Sequence, residues 1–196
     1  MATVTGPSAQ TLPDDLAALR RQVEDNRRTA EDLVRGLSEA QLQWRPDERS
    51  WSIAQCLDHL AIGDRAYLEA MSPAVAEARR RNSRRRGPIQ PGWFARWFIQ
   101  SMEPPPRRKL PAPRKIVPSL GKSGDEVKRD YFAAQAGVLA LLDQAAAVDL
   151  NRTRFVNPFL PLLRFTVGTG FLVSVAHGRR HLWQAERIRQ RPGFPP

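Results

Sequence analysis

Apolar residues recur at helical spacing through residues 13–37, PDDLAALRRQVEDNRRTAEDLVRGL, with Leu16, Leu19, Val23, Thr29 or Ala30, Leu33, Val34 and Leu37 on one face. Asp14 and Asp15 stand in the first turn, where carboxylates suit the positive end of the helix dipole. The next stretch, SEAQLQWRPDERS, reads as a short connector in which Pro46 ends any local helix. Ser50 is an N-cap candidate for a second helix running from Trp51 to Arg80, with a break or kink expected at Pro73. Residues 123–147 open with Ser123 and Glu126 at capping-box spacing. Val127, Tyr131, Ala134, Val138, Leu141 and Leu142 follow as a helical stripe.

Two stretches read less simply. Residues 87–122 are proline-rich, with one short aromatic amphipathic helix, PGWFARWFIQSM, followed by MEPPPRRKLPAPRKIVPSLGKSG, which fits an extended polyproline-like loop. FTVGTGFLVSV has strand-forming residues, and its two glycines weaken a helix. No partner strand is evident, however, and the continuation AHGRRHLWQAERIRQ is strongly helical, so a helix is predicted from about Thr169 to Gln190. Four long helices and one short one, with no strand pattern, predict an all-α four-helix bundle carrying a proline- and arginine-rich inserted loop. At 196 residues the chain is read as one domain over 1–196, with a core at about 12–190 and a basic insertion at 79–122.

Composition narrows the function classes. The single cysteine, Cys56, excludes an internal disulfide and fits a reducing cytoplasm. No secretory signal is visible at the start, and the longest uncharged apolar stretch, 165–176, is too short to span a bilayer at about 20 residues per crossing. A cytoplasmic chain without a membrane partner is therefore expected. The net charge of +11 favours anionic partners: nucleic acid, an acidic membrane surface or small carboxylated molecules. That charge is concentrated in EARRRNSRRRG (77–87) and PPPRRKLPAPRK (104–115), read as solvated loop or fraying helix end, and the arginines at 79–86 are expected to be exposed and dispensable for folding. There is no internal repeat, glycine-rich phosphate loop or CxxC pair.

The chain has three histidines. His177 and His181, four apart in SVAHGRRHLWQAERI, share one helical face and can offer two imidazoles to one ion. As a pair they fit separate surface or core positions equally well. The third, His59, lies in the amphipathic WSIAQCLDHL beside Leu57 and Leu60. Three neutral imidazoles from two packed helices would make a three-ligand site with open coordination positions, the mark of a catalytic rather than a structural metal centre. Nitrogen ligands suit zinc, nickel and iron(II).

WSIAQCLDHL, with its Trp-Ser opening and His-Leu pair, resembles the start of the second helix in the DinB-like superfamily. AHGRRHLWQAERI, with His-x-x-x-His and a Gln three residues later, resembles that family's last helix. LSEAQLQWRPDERS and the segment near NPFLP also fit, so the resemblance spans about residues 12–190. It implies a four-helix bundle, often a homodimer, with a divalent metal (zinc or nickel first, then iron) held by His59, His177 and His181. Relatives of this kind include S-transferases using bacterial thiols such as bacillithiol, a mycothiol-dependent isomerase and metal-dependent hydrolases. The long arginine- and proline-rich insertion departs from the shortest members.

Other residues stand near the histidines in sequence. Cys56 shares the His59 face but reads first as a small buried side chain. Gln184 reads either as a residue orienting a ligand or as an exposed helix position. Trp51, Trp183 and the WFARWF aromatics read as core or dimer packing rather than a stacking platform for bases. Asp58 points about 100° from His59 on a helix and is no automatic ligand partner. No carboxylate stands in an obvious general-base position, which favours transfer of a low-molecular-weight thiol to a small electrophile over hydrolysis. Arg179, Arg180, Arg187 and Arg189 include candidates for attracting carboxylates at the site mouth. The competing reading from another class is a non-enzymatic basic module for nucleic acid or another acidic partner.

Overall fold

The computed structural model describes residues 12–106, 116–119 and 121–196. The middle of the predicted polyproline-like loop, 107–115, and position 120 therefore lie outside the described residues. Six helices and one hairpin follow in order: α1 (Asp14–Val34), α2 (Glu39–Gln43), α3 (Ile53–Arg80), α4 (Trp93–Met102), α5 (Gly124–Gln144), β1 (Arg154–Val156), β2 (Arg164–Thr166) and α6 (Val167–Arg189). The long helices α1, α3, α5 and α6 form the bundle: α3 packs on α5 and α6, and α1 closes against the same two. One apolar cluster, around Leu16, Met71, Leu142 and Phe171, fills one end. A second, around Ile53, Leu57, Tyr131 and Leu182, fills the end that holds the histidines.

The predicted capping box at Ser123 and Glu126 is present. Three local expectations change. The connector contains a helical turn, α2, because Ser38 and Gln41 make a second capping box. The N-cap of α3 is Ser52, not Ser50: Ser52 Oγ accepts from the Gln55 N–H at 3.1 Å and Gln55 Oε1 accepts from the Ser52 N–H at 3.0 Å, while Ser50 bonds Asp47. Helix α3 also runs unbroken through Pro73. The residue lies on the exposed face, so the Glu69 carbonyl that loses its helical donor is open to water.

The helix α6 starts at Val167, capped by Thr166 Oγ1 accepting from the Thr169 N–H at 3.2 Å. Its two early glycines do not break it. A Cβ on Gly170 would come within 3.0 Å of the Phe155 ring, so this glycine admits the hairpin against the helix. The residues before α6 form a strand that does have a partner, contrary to expectation. β2 pairs antiparallel with β1 in the register Phe155↔Phe165, and both rings point into the core. Tyr67 of α3 packs edge-on against Phe155 at 5.7 Å, and its hydroxyl accepts from Asn157 Nδ2 at 3.1 Å. Strands of three residues are too short to give an alternation signal.

The arginine run is not uniformly solvated. Arg85 has only 13 % of its side chain exposed and pairs with Asp15 of α1, whose carboxylate also accepts from the Ile89 N–H at 2.8 Å. The Arg85 N–H donates to the Ala147 carbonyl at 2.9 Å, and Arg84 bridges Val148. Arg79, Arg80, Arg81, Arg84 and Arg86 are exposed as expected. The basic insertion is thus pinned at its start to α1 and to the loop after α5. α4 then packs along α6.

Candidate metal centre

Helix α3 supplies His59 and helix α6 supplies His177 and His181. One ring nitrogen from each lies within 4.8 Å of the others. The closest pair, His59 Nε2 and His177 Nε2, is 2.9 Å apart. Nitrogens that share one ion at about 2.1 Å stand about 3–3.5 Å apart, so this donor set could hold a single metal ion once the more distant ring draws in from up to 4.8 Å. The three rings pack edge to face, with centroids 4.3–4.8 Å apart. His59 and His181 are buried and His177 is half-buried, giving the cluster one side nearer to solvent.

Local sequence explains the approach of the helices. Gly63, one turn beyond His59, leaves room for the His177 ring; a Cβ there would touch Cε1 at 3.4 Å. Gly178, beside His177, seats α6 against α1, where a Cβ would collide with Asn26 Nδ2. That amide donates to the Val175 carbonyl at 3.1 Å, locking the two helices at the level of the site.

Two hydrogen bonds set ring orientation. His59 Nδ1 donates to the Ile116 carbonyl at 2.5 Å, which leaves the Nε2 lone pair facing the cluster. His181 Nδ1 lies 3.0 Å from Gln184 Oε1, which accepts its proton and likewise frees Nε2. A ring nitrogen outside a metal's coordination sphere commonly has such a partner. Trp51 lies over both rings, 4.7 Å from His59 and 5.6 Å from His181, and so belongs to the wall of the site.

Electrostatics keep the imidazoles neutral. Burial lowers the pKa of His59, opposed by the bond to Ile116 and by Asp58. His177 is held well below its ordinary value by burial, then by the other two rings and Arg180. Burial, His59 and Arg180 bring His181 down to about 3 against its bond to Gln184. Here His177 Nε2 donates to the free Nε2 of His59, and a metal ion would replace that proton; neutral imidazoles gathered in this way are the form a metal ion needs.

Asp58 is not among the clustered ligand atoms, and its carboxylate ties α3 to the end of the insertion. The buried carboxylate accepts from the Ser119 N–H at 2.7 Å and from Lys122 Nζ at 2.9 Å, and Lys122 also meets Asp130 at 2.7 Å. This clamp fixes the segment whose Ile116 carbonyl orients His59. The sequence carries no sign of that contact, because its partners lie some sixty residues away across the insertion.

Asp64 is a second buried carboxylate that sequence reasoning did not single out. It accepts from Ser174 Oγ at 2.5 Å and from Gln135 Nε2 at 2.6 Å, tying α3 to α6 and α5. Burial raises its pKa to about 7 against those two bonds. A signal exists: Asp64 interrupts the apolar stripe Leu57, Leu60, Tyr67 and Met71.

Cys56 is fully buried among apolar neighbours, its thiol pKa raised by desolvation, and it lies outside the histidine cluster. Among the arginines of α6, Arg179 pairs with Glu103 and Gln22, Arg187 reaches Gln190, and Arg189 donates to the Leu33 carbonyl. These three are directed elsewhere. Arg180 is the one whose charge acts on His177 and His181, and it donates to the Ser101 carbonyl at 3.1 Å.

No helix among the described residues is long and apolar enough to cross a membrane. A family model described as DinB superfamily matches residues 22–185, a span containing all three histidines. No curated protein and no solved structure matches the chain.

Proposed function

The chain belongs to the DinB superfamily, and on that premise we propose that it is a metal-dependent enzyme transferring a low-molecular-weight thiol to a small electrophile. The observation that carries this reading is the convergence of His59, His177 and His181 within 4.8 Å as neutral donors without a carboxylate among them. Zinc or nickel suits this all-nitrogen set best, with iron(II) a third candidate. A divalent ion there supplies a Lewis acid that lowers the pKa of a thiol, making the thiolate available as nucleophile.

The chain's own residues do the remaining work. Ile116 and Gln184 hold the two outward ring protons and so aim the inner nitrogens of His59 and His181. Trp51 covers the buried rings and keeps water from that side. Arg180 supplies a fixed positive charge beside His177 and His181, suited to the carboxylates that thiols such as bacillithiol carry.

Hydrolysis needs a base to prepare water. The two carboxylates flanking His59 on α3 are committed elsewhere, Asp58 to Ser119 and Lys122, and Asp64 to Ser174 and Gln135. That favours thiol transfer. The test follows consumption of a general electrophile with bacillithiol, mycothiol, glutathione or no thiol, in metal-loaded and chelated protein. Turnover requiring both metal and one thiol is expected. Turnover requiring metal alone would reassign the protein as a hydrolase. Salt-sensitive nucleic-acid binding by chelated protein, without turnover, would make it a binding module.

A further inference from the structure

Helix α4 and the β1–β2 hairpin carry six of the seven large hydrophobic side chains exposed among the described residues: Trp93, Phe94, Trp97, Val156, Leu160 and Leu162. Trp93 is 77 %, Trp97 62 % and Leu162 97 % exposed. Six of the ten α4 residues are large and apolar, yet none of the ten is buried. The two elements adjoin, since Phe98 of α4 meets Phe165 of β2 edge-on at 5.8 Å. α4 and β2 also pack on α6, which sets the two elements side by side on it.

The charge on this face is mainly positive: exposed Glu69 of α3 borders Pro158 and Phe159, and Asp149 pairs with Arg152 at 3.9 Å. Residues 93–102 contain Arg96 and no acid, and residues 150–166 contain Arg152, Arg154 and Arg164 and no acid. All four arginines are exposed. An apolar surface on which cations outnumber carboxylates matches a partner that is apolar within and anionic at its surface.

We propose that the α4–hairpin face docks on the surface of an anionic lipid bilayer. Trp93, Trp97 and Leu162 enter the boundary between headgroups and acyl chains, and Arg96, Arg154 and Arg164 meet the lipid phosphates. Tryptophan prefers that boundary because its ring is apolar and its N–H is polar. Such contact needs no spanning helix. A second copy is the poorer partner, because a twofold contact through this face would set Arg96, Arg154 and Arg164 against their own counterparts with fewer acids than cations on either side. Nucleic acid is the poorer partner because Val156, Leu160 and Leu162 have no ring on which a base can stack. The proposal is independent of the histidine cluster and stands whether or not thiol transfer is the activity.

The experiment is co-sedimentation of the full chain with vesicles of phosphatidylcholine alone or with about one third phosphatidylglycerol, at about 0.1 M and about 0.5 M salt. Partitioning at least about tenfold stronger onto the anionic vesicles, and weaker at high salt, is expected. The Trp93→Ser/Trp97→Ser/Leu162→Ser variant should lose about tenfold or more on anionic vesicles while keeping its circular dichroism. The Arg96→Gln/Arg154→Gln/Arg164→Gln variant should lose most of the preference for anionic lipid, at about fivefold per arginine. Equal sedimentation with both vesicle types, or variants that bind like the parent, would overturn the proposal. So would a dimer, seen by light scattering, that the apolar variant dissociates, because the face would then belong to a second copy. Binding of a single-stranded oligonucleotide but not of vesicles would assign the face to nucleic acid.

Discussion

His59 donates from Nδ1 to the Ile116 carbonyl, and Asp58, its neighbour in sequence, holds the segment that presents that carbonyl. The two adjacent residues have complementary roles. His59 offers a lone pair to the cluster, and Asp58 fixes the contact that orients it. Lys122 and Asp130 extend the clamp to α5, so the end of the basic insertion is built into the wall of the site.

Removal of any of the three imidazoles is expected to abolish stoichiometric metal. His59→Ala, His177→Ala and His181→Ala should each purify with far less than one equivalent by elemental analysis, with helical circular dichroism retained. Asp58→Asn should keep all three ligands and lower metal affinity about tenfold, the usual cost of losing an orienting partner. Competition against a chelator measures it. A triple histidine variant that still holds one equivalent would place the metal elsewhere.

Asp64 gives stability a pH dependence of definite sign. Its carboxyl has a pKa of about 7 in the fold against an ordinary value of 3.8, so the folded state binds more protons between those limits. Its contribution to folding is therefore most favourable below about pH 4, is lost as pH rises towards 7, and is constant above. Asp64→Asn removes the titration. The stability of the parent minus that of Asp64→Asn, from urea unfolding, should fall by a few kcal/mol across that window. A flat difference would mean that Asp64 is ionised throughout.

The arginine run separates into one structural residue and several surface ones. Arg85→Ser leaves the Asp15 carboxylate without its cation in a partly enclosed place, at a cost of about 2 kcal/mol. In a chain of this size that lowers the Tm by roughly 4–8 °C. Arg84→Ser and Arg86→Ser should shift it by no more than about 1 °C, because both side chains lie at the surface. Equal effects from all three would contradict the burial of Arg85.

Periodicity is enough to place the four long helices, because each carries a continuous apolar stripe over five or more turns. The i, i+4 spacing of His177 and His181 puts two imidazoles on one face, and amphipathic α3 makes His59 a neighbour. Contacts closed by long separations are not legible in this way. Nothing near Ile116 marks its carbonyl as the acceptor for His59, and nothing in the arginine run distinguishes Arg85 from Arg84. The hairpin is hidden because three-residue strands carry no periodic signal and their apolar positions, Phe155 and Phe165, lie ten residues apart. Trp51 reads as ordinary packing, since a tryptophan before a helix has no sequence feature that distinguishes core from site wall.

Arg180 tests whether the substrate is an anion. It lies where its charge is felt by His177 and His181, whereas Arg187 is exposed and reaches only Gln190. If the cosubstrate thiol carries carboxylates, Arg180→Gln should raise its KM about tenfold, the worth of one charge-assisted contact, with metal content unchanged. The kcat at saturating thiol should change much less, since the contact is made alike in the ground and transition states. Arg187→Gln should behave as the parent. A fall in kcat with KM unchanged would instead place Arg180 against charge that develops only in the transition state. A loss of metal in Arg180→Gln would show that this arginine supports the histidines rather than the substrate.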